Sequence, residues 1–281
     1  MCASIGRFFK RLFGIKDKPL DIADRKGKVL LVGINEYADA PLRGCINDID
    51  MFQLALLEKF NVDPKNMRLL LNKEATTKNY KNAMKWLADV KPGEYAIHHF
   101  SGHGVQIPSK ETDGLDEAVC PYDFDWTRKR MITDDDYFKF FWEMPDDVKF
   151  YWTSDSCHSG DLTRALEADK NRTMPLPPKL EPMILKIRAR KIIKPLLTRG
   201  HAKELDVGFV SACQSFQTAA DTVIRGKPVG AFSYFFVESL MRKPKASLKE
   251  IVERTARALK SNYYSQIPDP QGPRIKLPYM G

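Results

Sequence analysis

From Lys28 onward, short apolar runs alternate with longer segments whose apolar positions recur every three or four residues. KVLLVGI (28–34) has no polar residue after its lysine, the pattern of a strand buried on both faces. A loop around Gly33, Pro41 and Gly44 leads into Ile46–Phe60, which has helical spacing. MRLLL (67–71) predicts a second strand, and Thr76–Val90 a second helix capped by Thr76. YAIHHF (95–100) predicts a third strand, broken by SGHG and followed by a long polar loop containing DGLDE. A helix around Asp134–Glu143, strands VKFYWTS (148–154) and DVGFVSA (206–212), and helices Ala231–Met241 and Ser247–Tyr264 complete the pattern. Strands alternating with helices of this length predict βαβ units around a mostly parallel sheet, hence an α/β protein.

Two segments fall outside the alternation. In residues 171–204, five prolines (Pro175, Pro177, Pro178, Pro182, Pro195) sit among lysines and arginines, the composition of an exposed linker or insertion. In residues 1–20, Ile5, Phe8, Phe9, Leu12 and Phe13 are interleaved with Arg7, Lys10 and Arg11. That is either a basic amphipathic helix touching a membrane surface peripherally, or a helix packed on the body or frayed.

Charge sharpens this division. The net charge of +9 resides in these two segments: residues 1–20 carry +4, residues 171–204 carry +7, and the remainder is slightly acidic. A folded basic groove for nucleic acid is therefore not expected. No apolar run reaches the roughly 18–20 residues that span a bilayer, and the N-terminus has no secretory pattern. Five scattered cysteines (Cys2, Cys45, Cys120, Cys157, Cys213) form no CxxC pair, so the expected setting is reducing and cytoplasmic.

Candidate chemistry lies where two strands end. In an open parallel sheet, ligands bind outside the carboxyl ends of the strands. SGHG (101–104) follows the third strand and DSCHSG (155–160) the fourth, so His103 and Cys157 are expected to face each other there. A thiol with an ordinary pKa of about 8.5 needs a base at neutral pH, and His103 can take its proton and return it to a leaving amine. His158 is the rival base, but successive side chains diverge along the chain. Gly160 allows close approach after the cysteine, and the backbone N–H groups of Gly104 and Cys157 are candidates for an oxyanion hole. No residue evidently orients the histidine, so a dyad is expected. Cys45, Cys120 and Cys213 lack a paired histidine turn and are expected to be structural.

SGHG followed about fifty residues later by DSCHSG resembles the metacaspase branch of the caspase-like cysteine peptidases. VGINEY, LRGCINDID, DGLDEAVCPYDFD, ITDDDYF, VSACQSFQTAAD and GAFSYFF agree with it, in consistent order from about Lys28 to Arg274. The resemblance implies a caspase-like three-layer α/β/α sandwich with a mostly parallel central sheet. It divides the chain into a large-subunit-like part (21–170), an intersubunit linker (171–204) and a small-subunit-like part (205–281). It implies a thiol endopeptidase with a His103–Cys157 dyad, acting on protein or peptide substrates after Arg or Lys. Asp48, Ser101 and Asp155 map onto an acidic S1 pocket, the slot for the side chain preceding the cleaved bond. Two carboxylates there would favour a guanidinium and repel an acidic side chain. Calcium activation is implied with Asp116, Asp134 and Asp135 as ligands, and Asp161 is the weakest match, for a fourth. Self-processing within 171–204 is expected at basic residues such as Lys186, Arg188, Arg190, Lys191, Lys194 and Arg199. The relatives imply a monomer. The rivals are a catalytically silent caspase-like scaffold and an Asp-specific caspase.

Overall fold

The computed structural model describes residues 26–109, 114–157, 170–189, 193–194, 206–214 and 217–280. Residues 1–20, His158, Gly160, Asp161, Arg190, Lys191 and Arg199 lie outside these, and with them the expectations placed on them.

The central sheet is built from β1 (Gly27–Gly33), β2 (Met67–Leu71), β3 (Tyr95–Ser101), β7 (Lys149–Asp155), β10 (Val207–Ser211) and β13 (Asp269–Gln271). Its order is β13-β10-β7-β3-β1-β2, parallel throughout except for β13. The five strands expected from sequence are its five parallel strands. Helices α1 (Cys45–Phe60), α2 (Thr77–Ala88), α3 (Asp134–Trp142), α5 (Ala231–Arg242) and α6 (Leu248–Ser261) match the expected helices with ends shifted by a few residues. Thr76 caps α2, its hydroxyl accepting from Asn79 N at 3.3 Å.

Both faces of the sheet are covered, which is why its inner strands read as unbroken apolar runs. Val29 and Leu31 point to the side packed by α1, α5 and α6. Leu30 and Val32 point to the side packed by α2 and α3, around Tyr80, Met84, Tyr137 and Trp152. The result is the three-layer α/β/α sandwich.

Two expectations are corrected. The segment read as a polar loop after SGHG is a sheet of β4 (Gly104–Pro108), β5 (Leu115–Val119) and β6 (Ile132–Thr133). Its LDEAV strand is fully buried although Asp116 and Glu117 stand in the middle, which hides a strand from any periodicity test. The described part of 171–204 is only partly exposed, with Pro175, Pro178, Lys179 and Pro182 at the surface. It contains helix α4 (Glu181–Ala189), and Arg172 and Ile184 are completely buried. Just before it, β8 (Lys170–Asn171) pairs with β11 (Ala220–Ile224), which forms a hairpin with β12 (Lys227–Gly230). Short β9 (Ile193–Lys194) runs beside β5.

Candidate active site

Register sets the site. Gly33, Ser101 and Asp155 are partners across β1, β3 and β7, so the last residues of three adjacent strands lie in one row at the carboxyl edge. Parallel partners share a face, and this row shares the face of Leu31, His99 and Thr153, two residues earlier. On that face α1 packs, with Phe52 stacked on the His99 ring at 3.7 Å between centroids. Asp48 lies one turn before Phe52, so the same helix face that buries Phe52 carries Asp48 over Ser101 and Asp155. Sequence reasoning grouped Asp48, Ser101 and Asp155, and the structure brings them together: Ser101 Oγ donates to Asp48 Oδ2 at 2.7 Å.

A third carboxylate, Asp221 on β11, joins them and was not foreseen. It is held by backbone N–H groups of Arg43 and Gly44, both at 2.9 Å. Asp155 Oδ2 accepts from Ser233 N at 2.9 Å and Ser233 Oγ at 2.7 Å, both at the start of α5. Gly230 N donates to Asp48 Oδ1 at 2.8 Å. All three carboxylates are fully buried.

The cation among them is the chain's own Arg172. Its Nη1 donates to Ser101 Oγ at 2.7 Å and lies 3.2 Å from Asp155 Oδ2. Its Nη2 donates to Asp48 Oδ2 at 2.7 Å and to Asp221 Oδ1 at 3.1 Å. Burial first, and Asp155 next, push the Asp48 carboxyl up to about 7 against the opposing pull of Arg172. The Arg172 main chain is equally constrained. Its carbonyl oxygen accepts from Gly104 N at 3.0 Å and Cys157 N at 3.1 Å, the two N–H groups expected to form an oxyanion hole. Its own N–H donates to Ala219 O at 3.2 Å.

His103 and Cys157 leave the ends of adjacent strands β3 and β7, as expected. The His103 ring is buried, and its Nε2–H donates to Ala40 O at 2.7 Å. Because a carbonyl only accepts, the proton sits on Nε2 and the Nδ1 lone pair is left without a hydrogen-bond partner. Tyr37 lies beside the ring at 4.6 Å, and its hydroxyl accepts from His103 N at 3.0 Å. The histidine therefore has an orienting group after all, but a backbone carbonyl, which no residue type in the sequence announces. Burial lowers the His103 pKa to about 4, so the ring is neutral at physiological pH, with its Nδ1 lone pair free to accept a proton.

Burial opposes ionisation of Cys157. Hydrogen bonds from Cys213 and from Ala219 N outweigh it and leave the thiol below its ordinary value. Cys213, expected to be structural only, is thus a neighbour of the candidate nucleophile, and the contact with Cys157 raises its own pKa.

Of the implied calcium ligands, Asp116 lies on β5, Asp134 and Asp135 open α3 directly after β6, which pairs with β5, and Asp161 lies outside the described residues. Asp116 Oδ2 is paired with Arg128 at 3.2 Å, Asp134 is buried and Asp135 is exposed. Among the described residues no group of three or more Asp, Glu, His or Cys is placed to hold a metal ion.

Gly230 closes the carboxylate pocket. A Cβ there would collide with Asp155 Oδ2 and stand 2.7 Å from the Arg172 guanidinium carbon. Gly230→Ala is expected to destabilise the fold by about 1–3 kcal/mol, because the added methyl overpacks a buried ion cluster. A thermal melt checks this.

The metacaspase family profile, described as "Metacaspase, peptidase C14 domain", matches residues 27–165. Metacaspase-1 of Coccidioides immitis is 31% identical over 278 residues, covering 85% of this chain and 60% of that protein. Metacaspase-1 of Schizosaccharomyces pombe is 30% identical over 288 residues, covering 86% of this chain and 66% of that one. The chain thus spans somewhat under two thirds of the length of these relatives. Among solved structures, protein GSU0716 from Geobacter sulfurreducens superposes with a TM-score of 0.64 at 22% identity, covering 88% of this chain and 94% of that one. Caspase-1 from Spodoptera frugiperda superposes with a TM-score of 0.56 at 9% identity, covering 91% and 93%. These two likenesses speak to the fold. With the profile and about 30% identity to both relatives over most of its length, the chain belongs to the metacaspase family.

Proposed function

We propose that the chain is a cysteine endopeptidase that cleaves proteins after arginine, and after lysine more slowly. The observation that carries this is Arg172, whose guanidinium lies among Asp48, Asp155, Asp221 and Ser101 while its carbonyl faces two N–H donors beside Cys157. A substrate arginine placed the same way presents its carbonyl carbon to Cys157 Sγ.

In the first step the Cys157 proton passes to His103 Nδ1 and the sulfur bonds to the carbonyl carbon. The negative oxygen is held by Gly104 N and Cys157 N. His103 then gives its proton to the departing amine as the C–N bond breaks, leaving a thioester. Water attacks the thioester with His103 as base, and the thiolate leaves.

Preference for arginine follows from geometry. The two terminal nitrogens of a guanidinium reach separate pairs of acceptors, whereas a single lysine ammonium reaches fewer. Loss of one charged hydrogen bond, about 1.5 kcal/mol, gives about a tenfold preference. Peptides differing only in Arg, Lys or Asp before the reporter group test this. The expected order is Arg, then Lys, with Asp uncleaved, and Cys157→Ala removes all turnover. Absence of any cleavage by correctly folded protein would instead favour a silent scaffold.

A further inference from the structure

The carbonyl that orients His103 belongs to a surface loop, residues 35–42, between the end of β1 and the start of α1. Besides Ala40 this loop carries Tyr37. The Tyr37 hydroxyl accepts from His103 N at 3.0 Å and donates its own proton to Cys120 O at 2.9 Å, while Cys120 N donates to His103 O at 2.9 Å. The phenol ring stands 4.6 Å from the imidazole. One loop thus grips the histidine at its main chain, beside its ring and at its Nε2–H. A Cβ on Gly102 would stand 2.5 Å from the same hydroxyl, so glycine there leaves room for the grip.

Apolar packing holds little of this loop. Glu36, Ala38, Asp39 and Pro41 are exposed, and only Tyr37 and Leu42 are buried. Its fixed points are two asparagines. Asn35 O accepts from Tyr37 N at 3.1 Å and Leu42 N at 2.9 Å, and Asn35 Oδ1 accepts from Cys45 N at 2.9 Å, so Asn35 ties both ends of the loop to the start of α1. Asn72, the residue after β2, anchors Asn35 in turn. Its Oδ1 accepts from Asn35 N at 2.8 Å and Glu36 N at 3.3 Å. The backbone of Asn72 has φ of 46°, a left-handed angle that asparagine and aspartate tolerate better than most side chains.

We propose that Tyr37 and Asn72 are positioning residues for the catalytic base. This rests on the peptidase activity proposed above. Tyr37 acts on the main chain and ring of His103, and Asn72 acts through the loop that carries Tyr37 and Ala40. A proton must pass from Cys157 to Nδ1 and then to the departing amine, and both transfers need the ring at one angle. With the loop loosened, Nε2–H exchanges Ala40 O for water and the ring turns. The arginine slot of Asp48, Ser101, Asp155 and Asp221 contains neither residue, so substrate binding is spared.

Steady-state kinetics on an arginine peptide, expressed per Cys157 labelled by an arginyl chloromethyl ketone, tests this beside a thermal melt. Tyr37→Phe removes the bridging hydroxyl, and Asn72→Gly keeps the backbone angle while removing the acceptor. Each is expected to lower kcat about tenfold with KM within about twofold of wild type. Asn72→Asp, which keeps an acceptor oxygen, is expected to retain kcat within about twofold. A second readout separates positioning from loss of folding. Wild-type kcat is expected to be flat between about pH 5 and 7, whereas in Tyr37→Phe and Asn72→Gly it should fall as pH drops through about 6.5, where a solvated imidazole takes up a proton. Where one of the two variants does not fold, the other decides, since both act on the same ring. An unchanged kcat, a rise in KM alone, a flat pH profile, or an Asn72→Asp as slow as Asn72→Gly overturns the assignment while leaving the peptidase proposal standing. No turnover by wild type defeats the peptidase proposal itself, and this one with it.

Discussion

Replacing Arg172 by alanine in the uncut Cys157→Ala protein is expected to destabilise it by about 3–5 kcal/mol at neutral pH, lowering Tm by about 10 °C. Asp48, Asp155 and Asp221 are fully buried, and each has Arg172 within 3.2 Å. Serine hydroxyls and backbone N–H groups hydrogen-bond to them but supply no full positive charge, and Asp155 Oδ1 has no hydrogen-bond partner. Removing the guanidinium leaves three carboxylates facing one another out of water, the situation in which breaking a buried pair costs most.

The loss should depend on pH in a definite direction. Asp48 has a folded pKa pushed up to about 7, above its unfolded value, because burial disfavours the charged form. The folded state therefore binds more protons than the unfolded state between about pH 4 and 7, and stability falls as pH rises through that window. Arg172 pulls the Asp48 pKa down, so without it the upward shift grows and the penalty deepens. The gap between the two proteins should be smaller near pH 4–5 than above about pH 7. Urea unfolding across this range measures it, and a gap that does not vary with pH would refute the account.

How far the sequence foretold this cluster depends on which atoms do the work. The parallel strands and amphipathic helices were legible because burial on one or two faces writes a period into residue types. His103 and Cys157 were legible because polar turns at the ends of apolar strands are conspicuous, and Asp48, Ser101 and Asp155 came with the resemblance. Arg172 was hidden for a physical reason. A basic residue among prolines and lysines looks solvated, and its burial depends on carboxylates that arrive from α1, β7 and β11, distant in sequence. Asp221 was hidden likewise, since its position follows from a hairpin whose strands are only five and four residues long. Ala40 could not have been found, because it orients His103 through a carbonyl that every residue carries. Cys213 lacked a histidine beside it, yet Cys213 and Ala219 both touch Cys157.

His103→Ala is expected to lower kcat on an arginine peptide by about 10²–10⁴-fold. Cys157→Ala should do at least as much, and the double variant little more, because the two act as one unit. The structure adds a signature that mere loss of folding would not reproduce. A free imidazole titrates near 6.5, but burial holds His103 at about 4, so it remains a neutral base across the range where ordinary histidines charge. Between about pH 5 and 7 the chemical step in wild type should therefore show no loss from His103 protonation. KM should behave differently. With a guanidinium in the pocket the Asp48 pKa is about 7, and in the empty pocket it is higher. As pH falls toward 7 Asp48 therefore takes up a proton, and KM for arginine peptides should rise while kcat holds. Asp48→Asn should raise KM at neutral pH and flatten that rise. A kcat that drops with an apparent pKa near 6.5 would show that His103 is solvated during turnover, and that the Ala40 contact does not persist in the working enzyme.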